Sequence, residues 1–260
     1  MRCLLPCLLL ALPVWAQPRL EDFETVPAWS DEFNRPGPPD PSKWNFQLGQ
    51  DGWGNQELQN YTERNAVVEG GVLKIWARRE AEGYSSARLN TRGKADFVYG
   101  RFVIRARVPH GRGTWPAIWM LASQSDHSPE HWPDNGEIDI MECVGFNPGV
   151  IHGSLHTKAY NHMIRTQKTA TLAVTDAETA FHDYELRWTP EWLETLVDQK
   201  TVLTFKNPHQ SWREWPFDRP FHILLNLAVG GTWGGQKGVD DSVWPQTLEI
   251  DYVRVYDYKP

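Results

Sequence analysis

The chain is short of cysteine. It has three, and Cys3 and Cys7 both fall near its start. Residues 1–16, MRCLLPCLLLALPVWA, read as a secretory signal peptide. Arg2 is the basic start, Leu4 to Leu12 the apolar stretch, and Val14-Trp15-Ala16 the small-residue exit, with cleavage after Ala16. Loss of this leader leaves Cys143 as the single thiol. An intramolecular disulfide is thereby excluded, and stability has to come from a hydrophobic core. Long apolar runs are missing as well. The leader's own run is interrupted by Pro6, ends at Pro13 and falls short of the ~20 residues that cross a bilayer, so no membrane partner is expected. There is no basic block. Lys and Arg number 26 against 33 Asp and Glu, a formal net charge of −7, and removal of Arg2 with the leader makes it one unit more negative. That balance argues against nucleic acid as a partner. Helical periodicity is also scarce: only 207–215 and the stretch after Asp176 offer a turn or two of helix.

Alternation with a period of two is abundant. In FVIRARV (102–108), Phe102, Ile104, Ala106 and Val108 share one face, and Arg105 and Arg107 the other. Residues 73–78 and 248–256 alternate likewise. Turn signals separate these runs at 69–71, 91–93, 109–113 and 230–231. Many strands with Gly and Pro turns predict an all-β protein, a jelly-roll sandwich of two antiparallel curved sheets with a concave cleft suited to a polymer. RPGPPDP (35–41) is a stiff surface loop. No linker, repeat or low-complexity tract divides 17–260, so a single domain is expected after the leader 1–16. Tryptophan is plentiful, 14 against 4 Met. About half are expected in the core, with the remainder presenting flat apolar faces suited to sugar rings.

The segment GEIDIMECVG (136–145) sets Glu137, Asp139 and Glu142 among apolar residues. On a regular strand Glu137 and Asp139 share a face, while Glu142, an odd number of residues from Glu137, points the other way. A β-bulge at Met141 or its neighbour would absorb one residue and return Glu142 to the same side. Two glutamates flanking an aspartate suit glycoside hydrolysis, in which one carboxylate attacks the anomeric carbon and one carboxylic acid protonates the leaving oxygen. Crowding the charges would keep one proton bound, with the group titrating as a set. A carboxylate cluster for a metal such as calcium, or a solvated face, is the alternative on the residues alone.

The motif EIDIME (137–142) resembles the E-x-D-x-x-E signature of glycoside hydrolase family 16 in its bulged version. The likeness extends over WGNQELQNYT (53–62), YGR (99–101), GTWPAIWML (113–121), HGSLH (152–156) and NLAVGGTW (226–233). Within the family these segments look most like endo-β-1,3-glucanases, the laminarinases. The resemblance implies a β-jelly-roll and retaining hydrolysis, with Glu137 as nucleophile, Glu142 as acid/base and Asp139 hydrogen-bonded to the nucleophile. It implies no cofactor for catalysis, and a β-glucan as partner.

Trp115 and Trp119 lie four apart and share a strand face; spacing alone allows a pair of core aromatics, and the resemblance favours sugar contacts. Trp233 in a Gly-rich loop, Trp132 and Trp53 are further platform candidates. Asn55 and Arg88 resemble positions that hydrogen-bond glucose hydroxyls on the non-reducing side. His156 is expected in the cleft near Glu142 and the leaving-group sugar, and His152 as a structural histidine, because H-x-x-x-H on a strand lacks the helical context of a zinc site. The resemblance also allows a structural calcium away from the cleft, held by the Asp251 side chain and the backbone carbonyls of Glu32 and Gly71, the alternative being a surface aspartate without metal. The expectation is a secreted or periplasmic monomer that hydrolyses β-1,3-glucan by double displacement. The rival readings are action on mixed-linkage or another polysaccharide, and a non-catalytic glucan-binding jelly roll.

Overall fold

The alternating runs become strands of two facing sheets. The computed structural model describes residues 17–128 and 132–260; the expected leader lies outside the described residues. The back sheet contains β1 (Trp29–Asp31), β3 (Gln59–Tyr61), β4 (Ala66–Glu69), β5 (Val72–Glu80) and β6 (Gly83–Ser86). It is completed by β9 (Gly100–Arg107), β14 (His182–Trp188), β15 (Trp192–Val197), β16 (Lys200–Lys206) and β18 (Gln246–Tyr256). Its order is β16-β15-β14-β9-β18-β5-β6-β3, with β1 on β18 and β4 on β5. The front sheet holds β2 (Asn45–Phe46), β7 (Arg88–Asn90), β8 (Asp96–Phe97) and β10 (Thr114–Ala122). With them lie β11 (Glu137–Glu142), β12 (Val150–His156), β13 (Lys168–Ala173) and β17 (Phe221–Val229). The order is β13-β12-β11-β10-β17-β7-β2, with β8 on β17.

Pairing is antiparallel with one exception among the described residues. β3 runs parallel to β6, because the chain leaves β3, makes the β4–β5 hairpin and turns again before β6 comes back beside it. One core lies between the sheets. β5 contributes Leu73, Ile75 and Ala77, each 0% exposed, and turns Lys74, Trp76 and Arg78 outward, as its period requires. β17 is buried along its whole length. Ile223, Leu225, Leu227 and Val229 join the core, while Asn226 and Ala228 face the other way and line the cleft.

Two sequence expectations change in detail. The alternation of β18 is not continuous: its register against β9 shifts between Ile250 and Tyr252, so buried Leu248 and Ile250 give way to buried Val253 and Val255. Residues 207–215 and 176–180 form hydrogen-bonded turns rather than helix. In the first, the His209 amide bonds the Asn207 side chain at 2.8 Å, an Asx turn that competes with a helical start. Among the described tryptophans, Trp44, Trp188 and Trp215 are buried and Trp29 and Trp244 pack against the core, Trp53, Trp115, Trp119, Trp132 and Trp233 line the cleft, and Trp76, Trp192 and Trp212 belong to neither group.

Candidate active site

β11 carries the bulge that its acid spacing requires. Against β10, Met141 pairs with Ile118 and Asp139 with Trp119, so Ile140 is the supernumerary residue. Against β12, Asp139 pairs with Ser154 and Glu142 with His152, three residues on one strand matching two on the other. Ile138, Ile140 and Met141 are 0% exposed and anchor the strand in the core. Glu137, Asp139 and Glu142 all open into one cleft of about 780 Å³.

Each glutamate is held by a tryptophan. Trp132 Nε1 donates to Glu137 Oε2 and Trp115 Nε1 to Glu142 Oε1, both at 2.9 Å. Asp139 is 2% exposed and shares a side-chain hydrogen bond with Glu137. Burial, followed by the charge of Asp139, pushes the Glu137 and Glu142 carboxyls up to about 8. Burial likewise raises Asp139, and its bond with Glu137 opposes the rise. The three form one coupled set that resists full ionisation.

Trp115 and Trp119 are cleft residues on one face of β10. Trp119 Nε1 donates to Asn226 Oδ1 at 2.7 Å, and Trp233 meets Trp115 edge-on at 5.5 Å. Arg88 is sandwiched between Trp53 and Trp119, its guanidinium 4.8 and 4.7 Å from the two rings, and Nε donates to Gln47 at 2.6 Å. Asn55 lines the same end of the cleft.

His156 lies in the cleft as expected, but beside Glu137 rather than Glu142, and His152 joins it there. His156 is the register partner of Glu137, with Nε2 3.4 Å from Asp139 and 3.9 Å from Glu137. His152 is the partner of Glu142 and, rather than being structural, lines the cleft edge-on to Trp233 at 4.9 Å. The antiparallel register decides this, because the residue earlier in β12 meets the residue later in β11. Several lining residues were not singled out from the sequence, among them Glu57, inside the matching segment 53–62, and His162 and Met163, outside any such segment. Met163 is 74% exposed on a short 3-10 turn, and His162 stacks obliquely on Trp132 at 4.8 Å.

With this geometry the comparisons with known proteins agree. The sequence profile of Glycosyl hydrolases family 16 matches residues 54–254. The chain belongs to this family. It is 57% identical over 239 residues to a β-glucanase of Rhodothermus marinus, covering 88% of this chain and 84% of the relative. It is 38% identical over 252 residues to a glucan endo-1,3-beta-glucosidase of Cryptopygus antarcticus, covering 88% and 91%. Among solved structures it superposes on the laminarinase from Rhodothermus marinus with a TM-score of 0.88 and 55% identity, over 92% of this chain and 99% of that one. The jelly-roll-like pair of antiparallel sheets is shared with that laminarinase.

Among the described residues one cluster of side chains could hold a metal ion, and the expected calcium position is a separate place. Ligand atoms of Glu137, Asp139 and His156 lie within 4.8 Å of one another, inside the cleft. At the expected calcium position, β1 and β5 pair the same edge of β18, β1 through Val253–Val255 and β5 through Gln246–Ile250. Glu32, just after β1, and Gly71, just before β5, therefore flank the gap at Asp251. These are oxygen donors, which suit a hard cation. The Asp251 carboxylate also bonds Arg105 on β9 at 3.1 Å, so a cation there would compete with that guanidinium.

Proposed function

We propose that this protein is an endo-β-1,3-glucanase that hydrolyses laminarin-type β-glucan with retention at the anomeric carbon. The observation that carries the reading is the bulge in β11, which sets two tryptophan-held glutamates on one cleft face with a buried aspartate between them. Similarity to proteins named β-glucanase and glucan endo-1,3-beta-glucosidase supports the choice of polymer.

Glu137 attacks the anomeric carbon of the glucosyl unit at the break, while Glu142 gives its proton to the glycosidic oxygen and the leaving chain departs with a free hydroxyl. Glu142, now anionic, takes a proton from water, whose oxygen displaces Glu137 from the sugar. Asp139 holds Glu137 through their shared hydrogen bond, carrying the proton while Glu137 is the anion, and the negative charge that this pair retains beside Glu142 favours the protonated acid. Trp115, Trp119, Trp132 and Trp233 offer ring faces along the chain, and Asn55 and Arg88 offer donors. No cofactor enters these steps.

The test is hydrolysis of laminarin by the parent and by Glu137→Gln and Glu142→Gln. Turnover should vanish in the first and fall roughly 10²–10⁴-fold in the second, while both still bind the polymer. The first product, followed by NMR, should have the β configuration. An α first product, or full activity of Glu137→Gln, would refute the mechanism, and lichenan and agarose in parallel would expose a different preferred polymer.

The proposal extends to export directed by residues 1–16, to a single hydrolase domain at 17–260, to action as a monomer, and to a structural calcium at Asp251, Glu32 and Gly71. A mature N-terminus at Gln17 would support the first of these.

A further inference from the structure

Glu57 stands on the cleft wall, 9% exposed, at the end that holds Asn55 and Arg88. Its two oxygens are used unequally. Oε2 is fully engaged, accepting from Gln59 Nε2 at 2.7 Å and from the Tyr61 hydroxyl at 3.1 Å. Oε1 has a single long contact, 3.4 Å from Asn55 Nδ2. The Gly-rich loop packs against this side chain: a Cβ on Gly231 would lie 3.3 Å from Glu57 Cγ. From Oε2 a chain of bonds runs through the protein. Tyr61 Oη accepts from Asn226 Nδ2 at 3.1 Å, and Asn226 Oδ1 accepts from Trp119 Nε1 at 2.7 Å. Gln59 is fixed in turn by the Val229 amide, which donates to Gln59 Oε1 at 2.7 Å.

A carboxylate this enclosed loses hydration and has to recover it from donors. Oε2 has two from the protein, and Oε1 has only the long contact from Asn55. The neighbouring groups of the wall, Arg88 and the Asn55 amide, are donors, which the glucanase reading assigns to sugar oxygens. A sugar hydroxyl is also a donor, and a short-tethered carboxylate fixed beside them is the complementary acceptor.

We propose that Glu57 is a specificity-determining residue. Its Oε1 accepts a hydrogen bond from one hydroxyl of the glucosyl unit bound at the Arg88 end of the cleft, while Oε2 anchors the Tyr61–Asn226 chain that orients Trp119. This rests on the glucanase reading above. The paired Asn55 donor and Glu57 acceptor recognise one hydroxyl in both of its capacities, which a tryptophan face cannot do. A site built to bond a hydroxyl rejects a unit lacking it far more strongly than an apolar site rejects an added methylene.

The experiment is calorimetric binding of laminari-oligosaccharides to the inactive Glu137→Ser protein. A monodeoxy series would be modified at the glucosyl unit that occupies the Arg88 end. In the Glu137→Ser protein one deoxygenation should weaken binding about 10- to 100-fold, as loss of a charge-assisted bond does. Adding Glu57→Gln, which preserves the side-chain shape, should weaken the parent sugar comparably and erase the extra penalty of that one deoxy sugar. Adding Tyr61→Phe instead breaks the chain to Trp119 and leaves Oε1 in place, so the deoxy penalty should survive. Unchanged affinity with Glu57→Gln, or penalties that simply multiply, would overturn the proposal. If the Gln variant does not fold, the deoxy series alone decides, and no single position costing more than about threefold refutes it. Laminarin hydrolysis by the parent separates the two readings. An inactive parent defeats both, whereas an active one indifferent to Glu57 defeats only this.

Discussion

A general acid has to keep its proton at the working pH, and an ordinary glutamate with a value near 4.5 does not. Burial comes first in raising Glu142, to about 8, and the neighbouring Asp139 charge second; the Trp115 N–H bond pulls the other way and loses. The sign of the linkage follows. The folded protein holds protons that the unfolded chain has released, so the contribution to stability is complete below about 4.5 and is lost as pH rises through about 8. Glu142→Gln removes a group that must ionise at a cost in the folded state. Melting curves of the variant and the parent should therefore coincide near pH 4 and separate with rising pH, the variant melting several degrees higher at pH 9. A variant that melts lower at pH 9 would contradict burial as the dominant influence. Glu57, raised by burial in the same direction but offset by Gln59, Arg88 and Asn55, contributes a smaller slope of the same sign.

At the scale of elements, the bulge on β11 was readable because strand parity is rigid. An odd separation between acids that need one face demands an inserted residue, and Ile140 is that residue. Parity could not say which histidine meets which glutamate, because that depends on the register of β12, set by the turn after Glu142. The loop at 230–235 works differently. It fixes Trp115 by close approach: a Cβ on Gly234 would lie 2.9 Å from Trp115 Cβ and 2.5 Å from the Gly230 carbonyl oxygen. Trp115 in turn donates to Glu142. Gly234→Ala is therefore expected to displace the indole and Trp233 beside it, lowering kcat/KM about 10- to 100-fold, the equivalent of one hydrogen bond to a charged group. Steady-state kinetics and tryptophan fluorescence would register the change, and far-UV circular dichroism should stay the same. Parent-like kinetics would mean that the loop yields without moving Trp115.

For the whole molecule, the two sheets and their core were legible because β5 alternates along most of its length and β9 turns Phe102, Ile104 and Ala106 inward at every second residue. The outline of the cleft was legible through tryptophans beside Gly and Pro. Glu57 was not, since its meaning depends on the Tyr61–Asn226 bond, which spans 165 residues. The break in β18 was also hidden: Asp251 looked like one more outward residue, yet it sits at the register shift against β9 and between the stretches that pair β5 and β1 on the other edge. Magnitudes decide whether a cation can take that place. The Arg105–Asp251 pair is exposed, with side chains 38% and 40% accessible, and an exposed pair contributes only about 0–1 kcal/mol. A cation at a hundred times its dissociation constant contributes about 2.7 kcal/mol by binding the folded state alone. Calcium should therefore displace Arg105 and raise Tm by roughly 5–10 °C in a chain of this size, a chelator should reverse the gain, and Asp251→Ala should abolish it while laminarin turnover at 25 °C is unchanged. A Tm indifferent to calcium in the parent would leave Arg105 as the resident partner of Asp251.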